Sequence, residues 1–251
     1  MKSVMNFRAI APYQTPYGKL EANRLFRGGA LHALSQEDKK TLEDQYQISL
    51  VIDLRSFEEV KHQPDQSLNH VKHIHMTPFP SLAHNMSVPG VQRKLVDMGE
   101  DAHNFMSELY GRFVTEPKAQ QTYAQLLQYL IDPEYTNFYF HCSAGKDRTG
   151  FGAFLIMKLL EIDESDIIKE YLLSNREDAI QQFYKDKVFG DDTDGMSLAQ
   201  VRFLSTVSPD YLKKSEEAIA AIGGFDVYRK EILKFSDEDK QTLIKKFVQK
   251  S

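Results

Sequence analysis

The sequence has a single cysteine, Cys142, in 251 residues. An intrachain disulfide framework is therefore excluded, and the chain fits a reducing compartment. No apolar run approaches the roughly 20 residues of a membrane-spanning helix, so no stable membrane anchor is expected. The first ten residues, MKSVMNFRAI, lack the apolar core of an export signal, and a cytoplasmic location is the expectation. There is no excess of positive charge either: 31 Lys and Arg stand against 36 Asp and Glu, a net charge of −5. That balance speaks against broad nucleic-acid binding but leaves room for a local basic site that holds an anion. Internal repeats, low-complexity tracts and Pro/Gly-rich linkers are missing too, so residues 1–251 read as one domain. What the chain does have is 41% hydrophobic residues, enough for a substantial core.

Two short apolar runs, ISLVIDL (48–54) and TNFYFH (136–141), read as buried strands. Between them and after them lie helical patterns. Residues 116–131 place Tyr123, Leu126, Leu127, Leu130 and Ile131 on one helix face. Residues 149–162 are apolar nearly all round, the mark of a central buried helix. Helices at 35–45, 163–175 and 236–248 open on Ser or Asp caps. The C-terminal third reads as helices separated by VSPD and GG. The fold class is α/β: a mostly parallel central sheet flanked by helices, with extra C-terminal helices. Residues 76–104 and 181–197 resist assignment, and the wider stretches 76–115 and 180–210 are candidates for a flap or lid.

The cysteine sits in HCSAGKDRTG, between the second strand and the buried helix. The thiol thus leaves the carboxyl end of a strand, where α/β sheets place ligands. The helix turns its N-terminus toward the loop, and its partial positive charge and unpaired N–H groups favour a thiolate, which is a strong nucleophile. Ser143, Ala144, Gly145, Lys146 and Asp147 are small or polar, and such a loop can curl its N–H groups onto one oxyanion. Arg148 adds a planar two-pronged donor for phosphate oxygens. Nucleophile, nest and fork surround one tetrahedral anion.

Cys142 and Arg148 match the C-x5-R signature of the protein tyrosine phosphatase superfamily. The full HCSAGKDRTG resembles its bacterial branch of tyrosine/serine, broad-specificity protein phosphatases. The blocks NFR (6–8), LFRGGAL (25–31), VIDLRSFEE (51–59) and YLLSN (171–175) are similar to blocks of that branch. One departure stands out: NFR continues as AIAPY, where the branch has an Asp and a Gly pair. A loop at the active-site rim is therefore expected to differ here.

The resemblance implies a cysteine-phosphatase fold and a phosphocysteine intermediate, with Cys142 as nucleophile. Residues 143–148 would bind phosphate, and Arg148 would stabilise the transition state. It also implies that Asp147 can serve as the general acid, with Asp53, or a carboxylate in 97–101, as the alternatives. His141 is expected to support the loop. Thr149 is expected to donate its hydroxyl to the sulfur and to cap the helix. Asp53 and Arg55 read as a bracing pair, and Arg27 as a further brace. Lys146, a second cation in the loop, suits a substrate with more than one phosphate. The expected substrate is phosphotyrosine protein, with phosphoserine/threonine beside it; the alternatives are a phosphoinositide phosphatase and a phospho-binding module. No metal or other cofactor is expected. His70, His73 and His75 in NHVKHIHM lack the partners of a metal site, and GDDTDG (190–195) lacks the ligand pattern of a calcium loop.

Overall fold

The computed structural model describes residues 1–10, 12–79, 97, 101–176, 178–181 and 198–249. The main sheet has five strands in the order β1 (Arg8–Ala9), β4 (Leu25–Gly28), β7 (Phe138–His141), β5 (Leu50–Asp53), β6 (Lys72–His75). The last four run parallel and β1 is antiparallel to β4. Alternate residues of these strands enter two different cores. Leu25, Leu50, Ile52, Phe138 and Phe140 join the larger core with the helices Pro117–Ile131 and Asp147–Leu159. Phe26, Val51 and Tyr139 join the smaller one with Leu31, Leu34 and Leu42. A strand covered on both faces has no polar side, which is why 50–52 and 138–140 are unbroken apolar runs.

The helix Asp147–Leu159 is buried at 11 of its 13 residues, as its all-round apolarity requires. The expected caps are present: Ser35, Asp163 and Ser236 accept bonds from Asp38, Ser165 and Asp239 amides. The helix expected at 236–248 ends one residue earlier, as Asp237–Phe247. Val248 instead begins β8 (Val248–Gln249), which pairs antiparallel with β3 (Gly18–Leu20) and closes a second sheet with β2 (Gln14–Thr15). That sheet corrects the expectation drawn from AIAPY. The chain leaves Asn6 along β1, antiparallel to β4, and so travels away from the strand ends that carry Cys142. The segment after NFR forms a hairpin against the C-terminal helix rather than a rim loop, and Tyr17 Oη donates to Glu161 at 2.6 Å.

Within the flap candidate 76–115, residues 101–115 form a helix (Asp101–Thr115) rather than a flap, its apolar residues falling at helical spacing. It packs on the helix Pro209–Ile222, and Ser215 Oγ donates to the Tyr110 carbonyl at 2.8 Å. About half of each flap candidate, and all of GDDTDG, lie outside the described residues. No helix among the described residues is long and apolar enough to cross a membrane.

Candidate active site

Strand register decides where the loop stands. His141, the last residue of β7, lies level with Gly28 of β4 and Asp53 of β5. Cys142 therefore emerges between two neighbouring strand ends, and it is only 2% exposed. The loop that follows is held from behind by its carbonyls. Ser143 O accepts from the Ala30 amide at 3.1 Å. Gly145 O accepts from Asn6 Nδ2 at 3.0 Å and from Arg27 Nη2 at 2.9 Å, and Arg27 Nη2 also reaches Lys146 O at 3.3 Å. A peptide's N–H points opposite to the preceding C=O. Carbonyls tied outward thus turn the following amides toward the hollow of the loop. Gly145 takes φ +68°, and a Cβ there would lie 2.2 Å from the Gly28 carbonyl carbon and oxygen. Only glycine lets the loop lie this close to the RGG turn.

Arg27 is itself fixed from below. Glu170 accepts from Arg27 Nη1 at 2.6 Å and from Arg8 Nε at 2.6 Å, all three side chains being buried. Burial would push the Glu170 carboxyl up, but Arg27 and then Arg8 outweigh it, and it lies below its ordinary range.

On the front side, Arg148 is the second residue of the loop helix. Its Nη1 and Nη2 donate to Glu59 Oε2 and Oε1 at 2.7 and 2.8 Å, a two-pronged pair. Ser143 Oγ donates to the same carboxylate. Glu59 also closes a capping box with Ser56 at the start of the helix Phe57–His62. Against the upward push of burial, the Arg148 charge and these donors hold the Glu59 carboxyl well below the carboxylate range. Arg148 is raised in turn, the charge of Glu59 outweighing its burial.

Asp53 is engaged away from the acid role offered to it as an alternative. Arg55 Nη2 contacts Asp53 Oδ2 at 2.7 Å and Asp65 Oδ1 at 2.9 Å. His141 Nε2 stands 3.0 Å from Asp65 Oδ2, and its Nδ1 lies 3.8 Å from Asp53 Oδ1. Burial lowers the His141 pKa, but the two carboxylates prevail and raise it. Asp53, Asp65 and His141 could by position hold a cation. The Arg55 guanidinium already supplies the positive charge between the two acids, so this cluster reads as a brace under the strand ends. His75 joins its edge, Nε2 lying 2.7 Å from the Arg55 carbonyl.

Asp147 opens the loop helix. Its Oδ1 accepts from Tyr110 Oη at 3.0 Å, and its Oδ2 faces Lys146 Nζ at 3.2 Å. Lys146 Nζ also donates to the Thr206 carbonyl at 3.1 Å, and the residue is 8% exposed. Both contacts hold the ammonium within the protein, beside the Asp147 carboxylate. Thr149 is corrected as well. The N-cap position belongs to Lys146, and Thr149 Oγ1 is buried with no hydrogen-bond partner among the described residues, so it neither caps the helix nor donates to the sulfur.

Sequence reasoning missed Glu59, Asp65, Glu170, Asn6 and Tyr110. Glu59 carried a readable signal, the S-x-x-E capping spacing at 56–59, and Asn6 stood in the NFR block of the resemblance; Asp65, Glu170 and Tyr110 carry none.

A family model described as "Tyrosine phosphatase family" matches residues 1–249. The triple specificity protein phosphatase PtpB of Mycobacterium tuberculosis is 31% identical over 191 residues, 68% of this chain. That match spans 66% of the relative's own length, just under two thirds. A putative tyrosine-protein phosphatase of Cupriavidus necator is 29% identical over 217 residues, 86% of this chain and 76% of its own. Among solved structures, the core catalytic domain of the PP-IP phosphatase SIW14 from S. cerevisiae, with citrate, matches at TM-score 0.36 and 15% identity, over 86% of this chain and 98% of that one.

Proposed function

The chain belongs to the tyrosine phosphatase family, and from that premise we propose that it hydrolyses phosphomonoesters through a phosphocysteine intermediate. Its principal substrate is phosphotyrosine in proteins, with phosphoserine and phosphothreonine as lesser ones. The observation that carries the reading is the outward tethering of the loop carbonyls by Ala30, Asn6 and Arg27. It aims the amides of a C-x5-R loop at one point above a buried cysteine.

Cys142 Sγ attacks phosphorus, and the P–O bond to the leaving group breaks with its electron pair. The loop amides and Arg148 hold the phosphoryl oxygens as their charge spreads. Asp147 gives its proton to the leaving oxygen. Water then attacks the phosphocysteine in line, Asp147 takes a proton back, and the thiolate departs. The 2% exposure of Cys142 favours the long reach of phosphotyrosine over shorter phosphoserine.

The test is phosphate release, at matched concentrations, from a phosphotyrosine peptide, a phosphoserine peptide and a phosphatidylinositol monophosphate, with Cys142→Ser as blank. The tyrosine peptide is expected to lead, and Cys142→Ser to lose turnover while still binding vanadate. Preference for the lipid would overturn the substrate class. Near-normal activity of Cys142→Ser would overturn the nucleophile.

A further inference from the structure

Asp147 is met by two donors on different oxygens, and they come from different elements. Lys146, its chain neighbour, faces Oδ2 and is anchored to Thr206. Tyr110 donates to Oδ1 from the helix Asp101–Thr115, 37 positions away. The chain of donors continues behind it: Tyr171 Oη donates to Tyr110 Oη at 2.7 Å. Both tyrosines are buried, and the Tyr110 ring is wedged edge-on to Phe113 and against Tyr211. A hydroxyl with its own acceptor site filled by Tyr171 has one proton left to give, and it gives it to Asp147. Burial, and next the charge of Asp147, raise the Tyr110 hydroxyl well above its ordinary pKa, so it stays a donor.

We propose that Tyr110, backed by Tyr171, is the positioning residue of the general acid: through Oδ1 it fixes the plane of the Asp147 carboxyl group from which the leaving oxygen takes its proton. This rests on Asp147 being the acid, as argued above. In the first displacement the Asp147 proton passes to the leaving oxygen as the P–O bond breaks. The carboxylate that remains keeps the Tyr110 bond on Oδ1 and meets the Lys146 ammonium on Oδ2. The acid therefore recovers the same orientation for the second displacement, where it takes a proton from water. Tyr110 touches no reacting atom; it acts only through Asp147.

The experiment compares phenyl phosphate, whose leaving oxygen needs a proton, with p-nitrophenyl phosphate, whose leaving oxygen needs one far less. The readout is the ratio of their kcat/KM values, which reports phosphocysteine formation alone. A residue that only supported the fold would lower both substrates together and leave the ratio alone. Tyr110→Phe keeps the wedged ring and should lower the ratio about tenfold, a part of the 10²–10⁴ that general acids supply. Tyr171→Phe should lower it less. In an Asp147→Asn background Tyr110→Phe should lower it no further, since the two act as one unit. An unchanged ratio in Tyr110→Phe, or a full further drop on top of Asp147→Asn, would overturn the proposal. An unchanged ratio in Asp147→Asn alone would instead overturn the acid assignment beneath it. Vanadate inhibition of each variant checks that the loop is formed; should Tyr110→Phe fail that check, the proposal stands or falls on the ratio in Tyr171→Phe.

Discussion

Glu59 has three engagements that no other carboxylate of the site combines. It closes the Ser56 capping box, accepts from Ser143 and grips Arg148 with both oxygens. With its pKa held far below neutrality by Arg148, it is an anion at any working pH. An arginine with four rotatable side-chain bonds would otherwise lose entropy each time it met a phosphate; Glu59 has already fixed it. Glu59→Gln keeps the shape and one acceptor but removes the charge. A hydrogen bond to a charged group is worth about 1.5–3 kcal/mol, so kcat/KM for p-nitrophenyl phosphate should fall roughly ten- to a hundredfold. Steady-state kinetics of the variant measures this directly. A kcat/KM equal to the parent's would mean that Arg148 needs no prior fixing.

At the scale of an element, two glycines show how differently the loop and the helices constrain the chain. Gly145 has φ +68° and lies against Gly28 backbone, which has no flexible end to yield. Gly145→Ala should cost about 1–2 kcal/mol for the left-handed backbone alone, before the clash is counted. Vanadate binding should fall with it, because the loop must open to admit the methyl. Gly111 sits inside the helix Asp101–Thr115, and an added Cβ would meet nothing nearer than Lys214 Cγ at 3.6 Å. Gly111→Ala should therefore stabilise by up to about 1 kcal/mol. Thermal melts of both variants test the pair: a stabilised Gly145→Ala would refute the close-approach argument. The same contrast explains what the sequence revealed. Cys142, Arg148 and the helix after them are contiguous, so their chemistry and periodicity lie in one readable stretch. Glu59 is 89 positions from Arg148 and Glu170 is 143 from Arg27, so spacing says nothing of their meeting. The helix Asp101–Thr115 was legible too, since Ala102, Phe105, Met106, Leu109, Tyr110, Phe113 and Val114 keep helical spacing; the three prolines upstream drew the whole stretch toward a flap.

For the whole molecule, three of the four blocks that resembled a phosphatase branch far from the loop turn out to be one structure seen in pieces. NFR contributes Asn6 and Arg8, LFRGGAL contributes Arg27, and the helix leading into YLLSN contributes Glu170. Together they form a buried network whose one carboxylate balances two arginines beneath the loop. Replacing that carboxylate tests the network. Glu170→Gln leaves Arg8 and Arg27 buried without a counter-charge, and breaking a buried pair in this way costs about 3–5 kcal/mol. The pH dependence identifies the cause. The folded Glu170 carboxyl lies below its ordinary value, so its stabilisation is complete above the unfolded carboxylate pKa of about 4.3 and is lost as pH falls through the lower folded value. The stability gap between parent and Glu170→Gln, measured by urea unfolding, should therefore be full at neutral pH and shrink in acid. A gap that held constant down to about pH 3 would mean that the loss came from packing, and the charge balance under the loop would then not be what holds it.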